Sequence, residues 1–167
     1  ATYESNYTGG EYGTSVASAG DVNGDGYSDM IVGAPAWDNG QAGEGKAYLY
    51  LGAANGLSTT VGWVFEGNQV GAALGTSVST AGDVNNDGYS DIMVGAPGYD
   101  SGQVDEGKVF VFYGGASGLA AAPNWTAEGN QTGAQFGFSI ACVGDVNKDT
   151  YGDIAIGAPL ADSGQAD

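Results

Sequence analysis

Histidine is absent from this chain, and three lysine and arginine residues stand against twenty aspartates and glutamates. Without histidine the usual general base and the commonest zinc ligand are gone. The formal net charge of -17 leaves no basic face for nucleic acid or an anionic membrane surface. A single cysteine, Cys142, excludes an internal disulfide, and its apolar run Phe138 to Val143 reads as the setting of a buried structural thiol. No stretch reaches the ~18 apolar residues of a membrane span, so no membrane insertion is expected. The start, Ala1-Thr2-Tyr3-Glu4, has neither the basic region nor the apolar core of a signal peptide. Sustained 3.6-residue periodicity is missing too, which predicts essentially no helix.

What the chain has is glycine, 32 of its 167 residues, and enough apolar residues (42%) to oppose the disorder that strong acidity alone would suggest. It also has an internal repeat. Asp21, Asp83 and Asp145 open the same pattern at a spacing of 62 residues. Gly13 to Pro35 matches Gly75 to Pro97 at 18 of 23 positions and Gly137 to Pro159 at 13 of 23, without gaps. Such a period marks an array of one supersecondary unit. Each unit reads as four short strands: a over Gly13 to Ser18, b over Met30 to Ala34, c over Lys46 to Leu51 and d over Gly62 to Glu66, separated by turn residues. Strands b and c are apolar on both alternating faces, so their sheet must be covered on each side. Radially stacked four-stranded meanders do that without helices. The predicted class is therefore all-β, a β-propeller of about three blades in an incomplete ring. The chain divides into 1–12 (outer strand of a preceding blade and lead-in), 13–74, 75–136 and a partial blade over 137–167.

The chemistry lies between strands a and b. Asp21, Asn23, Asp25, Tyr27 and Asp29 recur as Asp83, Asn85, Asp87, Tyr89 and Asp91, and again as Asp145, Asn147, Asp149, Tyr151 and Asp153. Side-chain oxygens at loop positions 1, 3, 5 and 9, with the tyrosine carbonyl at 7 and a bidentate position 9, supply about six oxygens, the coordination of Ca²⁺. Three like charges in nine residues repel without a cation. A metal-free Asn-Asp-Gly hairpin turn is the plain alternative for any one copy; three in-phase copies argue against it. An EF-hand fails, because position 12 is Val32, Val94 or Ile156 inside an apolar β run. One Ca²⁺ per repeat, about three in all, is expected, with affinity in the ~10⁻⁴–10⁻³ M class. The third site is expected to be weakest. Thr150 replaces Gly26 and Gly88 where the loop needs a left-handed residue, and Lys148 sets a cation beside it.

These residues resemble the FG-GAP repeat of integrin α-subunit propellers. Gly33-Ala34-Pro35, Gly95-Ala96-Pro97 and Gly157-Ala158-Pro159 carry the GAP signature, while the FG signature is literal only in Phe136-Gly137, with Tyr12-Gly13 and Leu74-Gly75 in its place elsewhere. The resemblance implies calcium in the a–b hairpins, an extracellular or cell-surface setting, adhesion or ligand recognition, and no catalysis. It also implies about seven blades in a complete ring.

At the opposite end of each blade lie the b–c loops, with Trp37, Asp38, Tyr99, Asp100, Ser101, Gln103, Asp162, Ser163 and Gln165, and the d–a loops, with Asn68, Gln69, Asn130 and Gln131. A protein or glycan ligand fits such a face, though residues shared by every blade more often cap loops or join blades. Trp63 and Trp125 read as packing residues before sugar platforms. A lectin-type propeller and a purely architectural, self-assembling one are the alternative functions. Eleven strands are expected, a stray d strand first and an a–b pair last. That predicts self-association, a dimer first and a trimer next, or a place within a longer propeller.

Overall fold

The computed structural model describes residues 9–162 and Gly164. Its ten strands are β1 (Ser15–Gly20), β2 (Asp29–Ala34), β3 (Lys46–Tyr50), β4 (Trp63–Glu66), β5 (Ser77–Gly82), β6 (Asp91–Ala96), β7 (Lys108–Phe112), β8 (Trp125–Glu128), β9 (Ser139–Gly144) and β10 (Asp153–Gly157). Two four-stranded sheets, ordered β1-β2-β3-β4 and β5-β6-β7-β8, are followed by a two-stranded sheet of β9 and β10. All pairings are antiparallel, and no helix occurs among the described residues. The opening d strand expected near Ala1 lies outside the described residues, as do Ser163 and Gln165.

The a strands begin and end about two residues later than the sequence suggests. Thr14 is spent on a turn, its N–H and hydroxyl both donating to the Glu11 carbonyl at 3.2 and 2.8 Å. At the other end, Ser18 pairs with Met30 but Gly20 pairs with Asp29, so Ala19 is bulged out. The same irregularity recurs in the β5–β6 and β9–β10 pairs. A bulge bends the strand and adds twist, and here it delivers Asp21, Asp83 and Asp145 into their hairpins. Gly20, Gly82 and Gly144 follow the bulge at φ of 75°, 77° and 73°, a region that suits glycine.

The strands expected to be apolar on both faces are buried on both. Ile31 and Leu49 face the second sheet, where Val78, Val94, Phe110 and Phe112 meet them. Trp63 and Phe65 each meet the Phe112 ring at a centroid distance of 4.8 Å. Full burial of a side chain such as Phe112 contributes about 1.5–3 kcal/mol. On its other face the second sheet offers Met93, Val109 and Val111 to Ile140, Ile154 and Ile156 of the third. β1, β5 and β9 pack side by side, which makes them the inner strands of successive propeller blades.

Blade spacing is set where main chain meets main chain. A Cβ on Gly33 would stand 2.0 Å from the Gly75 carbonyl oxygen, and one on Gly95 would stand 2.1 Å from that of Gly137. Ser15 and Ser77 fill the remaining gap, donating their hydroxyls to the Gly75 and Gly137 carbonyls at 2.7 Å. Gly95→Ala must therefore push two blades apart. We expect it to cost about 2–3 kcal/mol in urea unfolding, whereas Gly115→Ala, whose added Cβ meets nothing closer than 3.9 Å, stays near neutral. Equal midpoints for the two variants would refute this account of blade spacing.

Candidate metal centre

Each bulged a strand feeds a hairpin that winds about the side chain of its first aspartate. In the first loop Gly24 N–H and Asp25 N–H donate to Asp21 Oδ1 at 2.8 and 3.1 Å, and Gly26 N–H donates to Oδ2 at 2.8 Å. Asp25 N–H is shared with Asn23 Oδ1 at 3.0 Å, and Tyr27 N–H donates to Asp25 Oδ1 at 2.9 Å. The oxygens at positions 1 and 3 thus share a single amide, with the position 5 carboxylate one hydrogen bond further along. The other loops repeat this. Asp87 N–H serves Asp83 Oδ1 and Asn85 Oδ1 at 3.0 and 3.1 Å, and Asp149 N–H serves Asp145 Oδ1 and Asn147 Oδ1 at 3.0 and 2.9 Å. In all three loops the asparagine Nδ2 also donates to the position 5 carboxylate.

The position 9 aspartates have a framing task that sequence reasoning missed. Asp29 accepts Val22 N–H on Oδ2 at 2.9 Å and Gly52 N–H on Oδ1 at 2.8 Å, tying the hairpin to the β3–β4 turn. Asp91 does the same with Val84 and Gly114, both at 2.9 Å, and Asp153 accepts Val146 N–H at 2.8 Å. Asp29 and Asp91 are only 2% and 0% exposed. Burial pushes the Asp91 carboxyl up to about 6, and the Asp87 and Asp83 charges add to it, while the two N–H bonds oppose the rise. Asp29 is raised by burial in the same way, with Asp25 and Asp21 adding.

This donor set fits a hard divalent cation. Every side-chain acceptor is oxygen, three of the four per loop are carboxylates, and no cationic side chain occurs within the first two loops. Among the described residues no three acidic side chains converge into a finished cage; their oxygens are turned to the loop's own amides. The residues that would supply the ligands are Asp21, Asn23, Asp25 and Asp29 with the Tyr27 carbonyl, and their counterparts.

The need for left-handed backbone at position 6 is met by Gly26, Gly88 and Thr150 at φ of 89°, 90° and 77°. Position 4 needs it as well, with Gly24, Asn86 and Lys148 at 74°, 59° and 64°. That second requirement escaped sequence reasoning, although glycine and asparagine there were a signal for it.

At the opposite end of the blades the polar residues join loops. The Gln69 side chain accepts Asp100 N–H at 2.6 Å and donates to the Asp100 carbonyl at 2.8 Å; Gln131 holds Asp162 with the same two distances. Asp38 and Asp100 cap their own turns through Gly43 N–H and Asp105 N–H. Glu106, buried beneath its loop, accepts the N–H groups of Gln103, Ser101 and Gly102 on one oxygen and that of Asn130 on the other. Those bonds, Gln103's foremost, hold its carboxyl below the usual range against the effect of burial. Glu44 occupies the equivalent place and accepts Asn39 N–H at 2.5 Å. The recurring Glu-Gly-Lys triplet was the available signal for these buried acids. Trp63 donates its indole N–H to the Ala120 carbonyl at 3.0 Å. Trp125 is 44% exposed and lines a shallow apolar pocket with Val84, Val111, Tyr113 and Ile154.

Residues 12–50, 74–112 and 136–167 match the family model described as FG-GAP repeat. Similar proteins include integrin alpha-4 of Xenopus laevis, 33% identical over 92% of this chain and 15% of that protein. Integrin alpha-6 of Gallus gallus is 38% identical over 86% of the chain and 13% of its own length. Integrin alpha-IIb of Mus musculus is 38% identical over 88% and 15%. The chain thus spans 13–15% of the length of these relatives.

A β-branched residue at φ 77° stores strain that glycine would release. Thr150→Gly is expected to stabilise the chelator-treated protein by about 1 kcal/mol in urea unfolding, with Thr150→Ala gaining less. A midpoint that is unchanged or lower in Thr150→Gly would refute the strain.

Proposed function

The chain belongs to the FG-GAP repeat family, and from that membership we propose that it is a calcium-binding recognition module of integrin α-subunit type, placed outside the cell or at its surface and without catalysis of its own. The observation that carries the reading is the oxygen-only hairpin repeated three times in phase, each copy wound about its first aspartate. Bound there, Ca²⁺ would supply charge neutralisation. The residues do the rest. Asp21, Asp83 and Asp145 hold the loop's amides, Asp29 and Asp91 fasten each hairpin to the neighbouring turn, and the Tyr27, Tyr89 and Tyr151 carbonyls offer the seventh-position oxygen. The non-catalytic reading is supported by the lack of histidine and by carboxylates already engaged in holding backbone.

A protein ligand at the face built from the β2–β3 and β4–β5 loops and their repeats fits the integrin-like setting. That face is held rigid by the Gln69 and Gln131 bridges, so a ligand would meet preformed loops.

Two outcomes are expected. Ca²⁺ binding to the native state alone raises the melting temperature by mass action, so adding chelator lowers it; equal melting with and without Ca²⁺ would sink the calcium reading. Second, β2 and β6 pair along their outer edges with β3 and β7, whereas no described strand pairs with the outer edge of β10. We extend the proposal to a further strand there, from a second copy (a dimer first, a trimer next) or from the rest of a longer propeller. Light scattering of the 167-residue chain should report an oligomer. A compact monomer at every concentration, without exposed-surface dye binding, would overturn self-association.

A further inference from the structure

We infer that the metal loops of adjacent blades are coupled, so that occupancy of the second loop raises the affinity of the first, with Tyr89 and Ser90 as the positioning residues that join them. This rests on the calcium reading above and goes beyond it, because three independent sites would satisfy that reading equally well.

The join is made at the hub of the first loop. Ser90 N–H donates to the Asp21 carbonyl at 3.0 Å, and Asp21 N–H donates to Ser90 Oγ at 3.1 Å. The backbone of the residue whose carboxylate organises the first loop is thus clasped on both sides by the second loop. The next carbonyl, that of Val22, accepts Gly115 N–H from the same neighbouring blade at 2.9 Å. The fit is close. A Cβ on Gly24 would lie 2.7 Å from Tyr89 Cε1, and one on Gly20 would lie 2.3 Å from Ser90 Oγ. Glycine at both places lets the Tyr89 ring and the Ser90 hydroxyl seat directly on the first loop.

The direction of coupling follows from one peptide unit. The Tyr89 carbonyl and the Ser90 N–H belong to the same peptide, and no peptide bond among the described residues is cis. A trans peptide points these groups opposite ways: the carbonyl would offer its oxygen to a cation in the second loop, while the N–H holds Asp21 of the first. Charge drawn to the carbonyl polarises the amide and strengthens its N–H as a donor. Ordering the second loop therefore firms the frame of the first, and by linkage the reverse holds to the same degree.

The third loop repeats the carbonyl half of the join. Gly152 N–H donates to the Asp83 carbonyl at 2.7 Å, and Asn86 Nδ2 donates to Thr150 Oγ1 at 3.0 Å. Gly152 has no hydroxyl to receive Asp83 N–H, so coupling between loops two and three should be smaller than between loops one and two.

The test is a Ca²⁺ titration of the ¹⁵N-labelled full chain, reading the amide signals of Gly26 and Gly88 as separate reporters of loops one and two. Asp87→Asn, which weakens loop two, should lower the affinity read at Gly26 by about fivefold. Ser90→Ala should weaken loop one more than loop two and shrink the effect of Asp87→Asn, while Ser90→Thr, which keeps the hydroxyl, restores it. An unchanged Gly26 affinity in a folded Asp87→Asn protein would overturn the coupling and leave the calcium reading intact. No response at either reporter in the unsubstituted chain would overturn the calcium reading and the coupling with it. If Asp87→Asn does not fold, the Ser90→Ala and Ser90→Thr pair decides: equal losses at both loops would overturn the inference.

Discussion

Backbone touches backbone where Gly33 meets Gly75 and where Gly95 meets Gly137, and the rest of the molecule is arranged around that approach. A side chain at either position would hold two blades apart by more than the inner-strand serines can bridge. With the gap closed, Phe112 reaches Trp63 and Phe65, the second sheet fills on both faces, and the hairpins at one end come near enough to share hydrogen bonds. The two signatures of the repeat, a glycine before the inner strand and a glycine in the second strand, are thus the two halves of one contact. They look separate in sequence because each half pairs with a partner in the neighbouring repeat.

Acidity and glycine content serve the same design. A hairpin that turns three backbone amides onto one carboxylate needs positive φ twice within three residues, which Gly24 and Gly26 give without strain. Burial raises the carboxyls of Asp29 and Asp91, and the charges of the carboxylates packed beside them add to the rise. The chain has few cations with which to relieve it. Its two described lysines in strands, Lys46 and Lys108, stand at the other end of the blade, where Lys46 pairs with Glu66 at 2.8 Å. Positive charge for the first two hairpins would have to come from outside the chain, whereas the third carries Lys148 within its own loop.

Much of this was legible in the residues. The 62-residue period fixed the repeat, the two-faced apolar strands required covered sheets, and the loop oxygens stood out because three copies kept them. The Thr150 position was legible too, since a β-branched residue replaced glycine in a loop that must turn left-handed. What escaped were the hydrogen bonds that side chains make to distant main chain. Asp29 looked like a ligand and nothing more, because its bonds go to the backbone amides of Val22, within its own hairpin, and Gly52, across the sheet, neither of which depends on the residue type there. The bulge at Ala19 left no mark in the alternation, and nothing in that pattern singled out Glu44 and Glu106, which lie buried under their loops. Side-chain chemistry repeats visibly; the backbone groups it serves have no letters of their own.

The glutamine bridges carry a consequence of a different kind. Gln69 reads the N–H and the carbonyl of residue 100, and Gln131 reads those of residue 162. Half of each joint is therefore main chain, which every residue but proline possesses in full. A blade copied by gene duplication finds its seat beside the parent ready-made, and its exposed loop side chains are free to diverge without any matching change across the seam. Growth of the ring and variation of its surface are in that sense uncoupled at the level of inheritance.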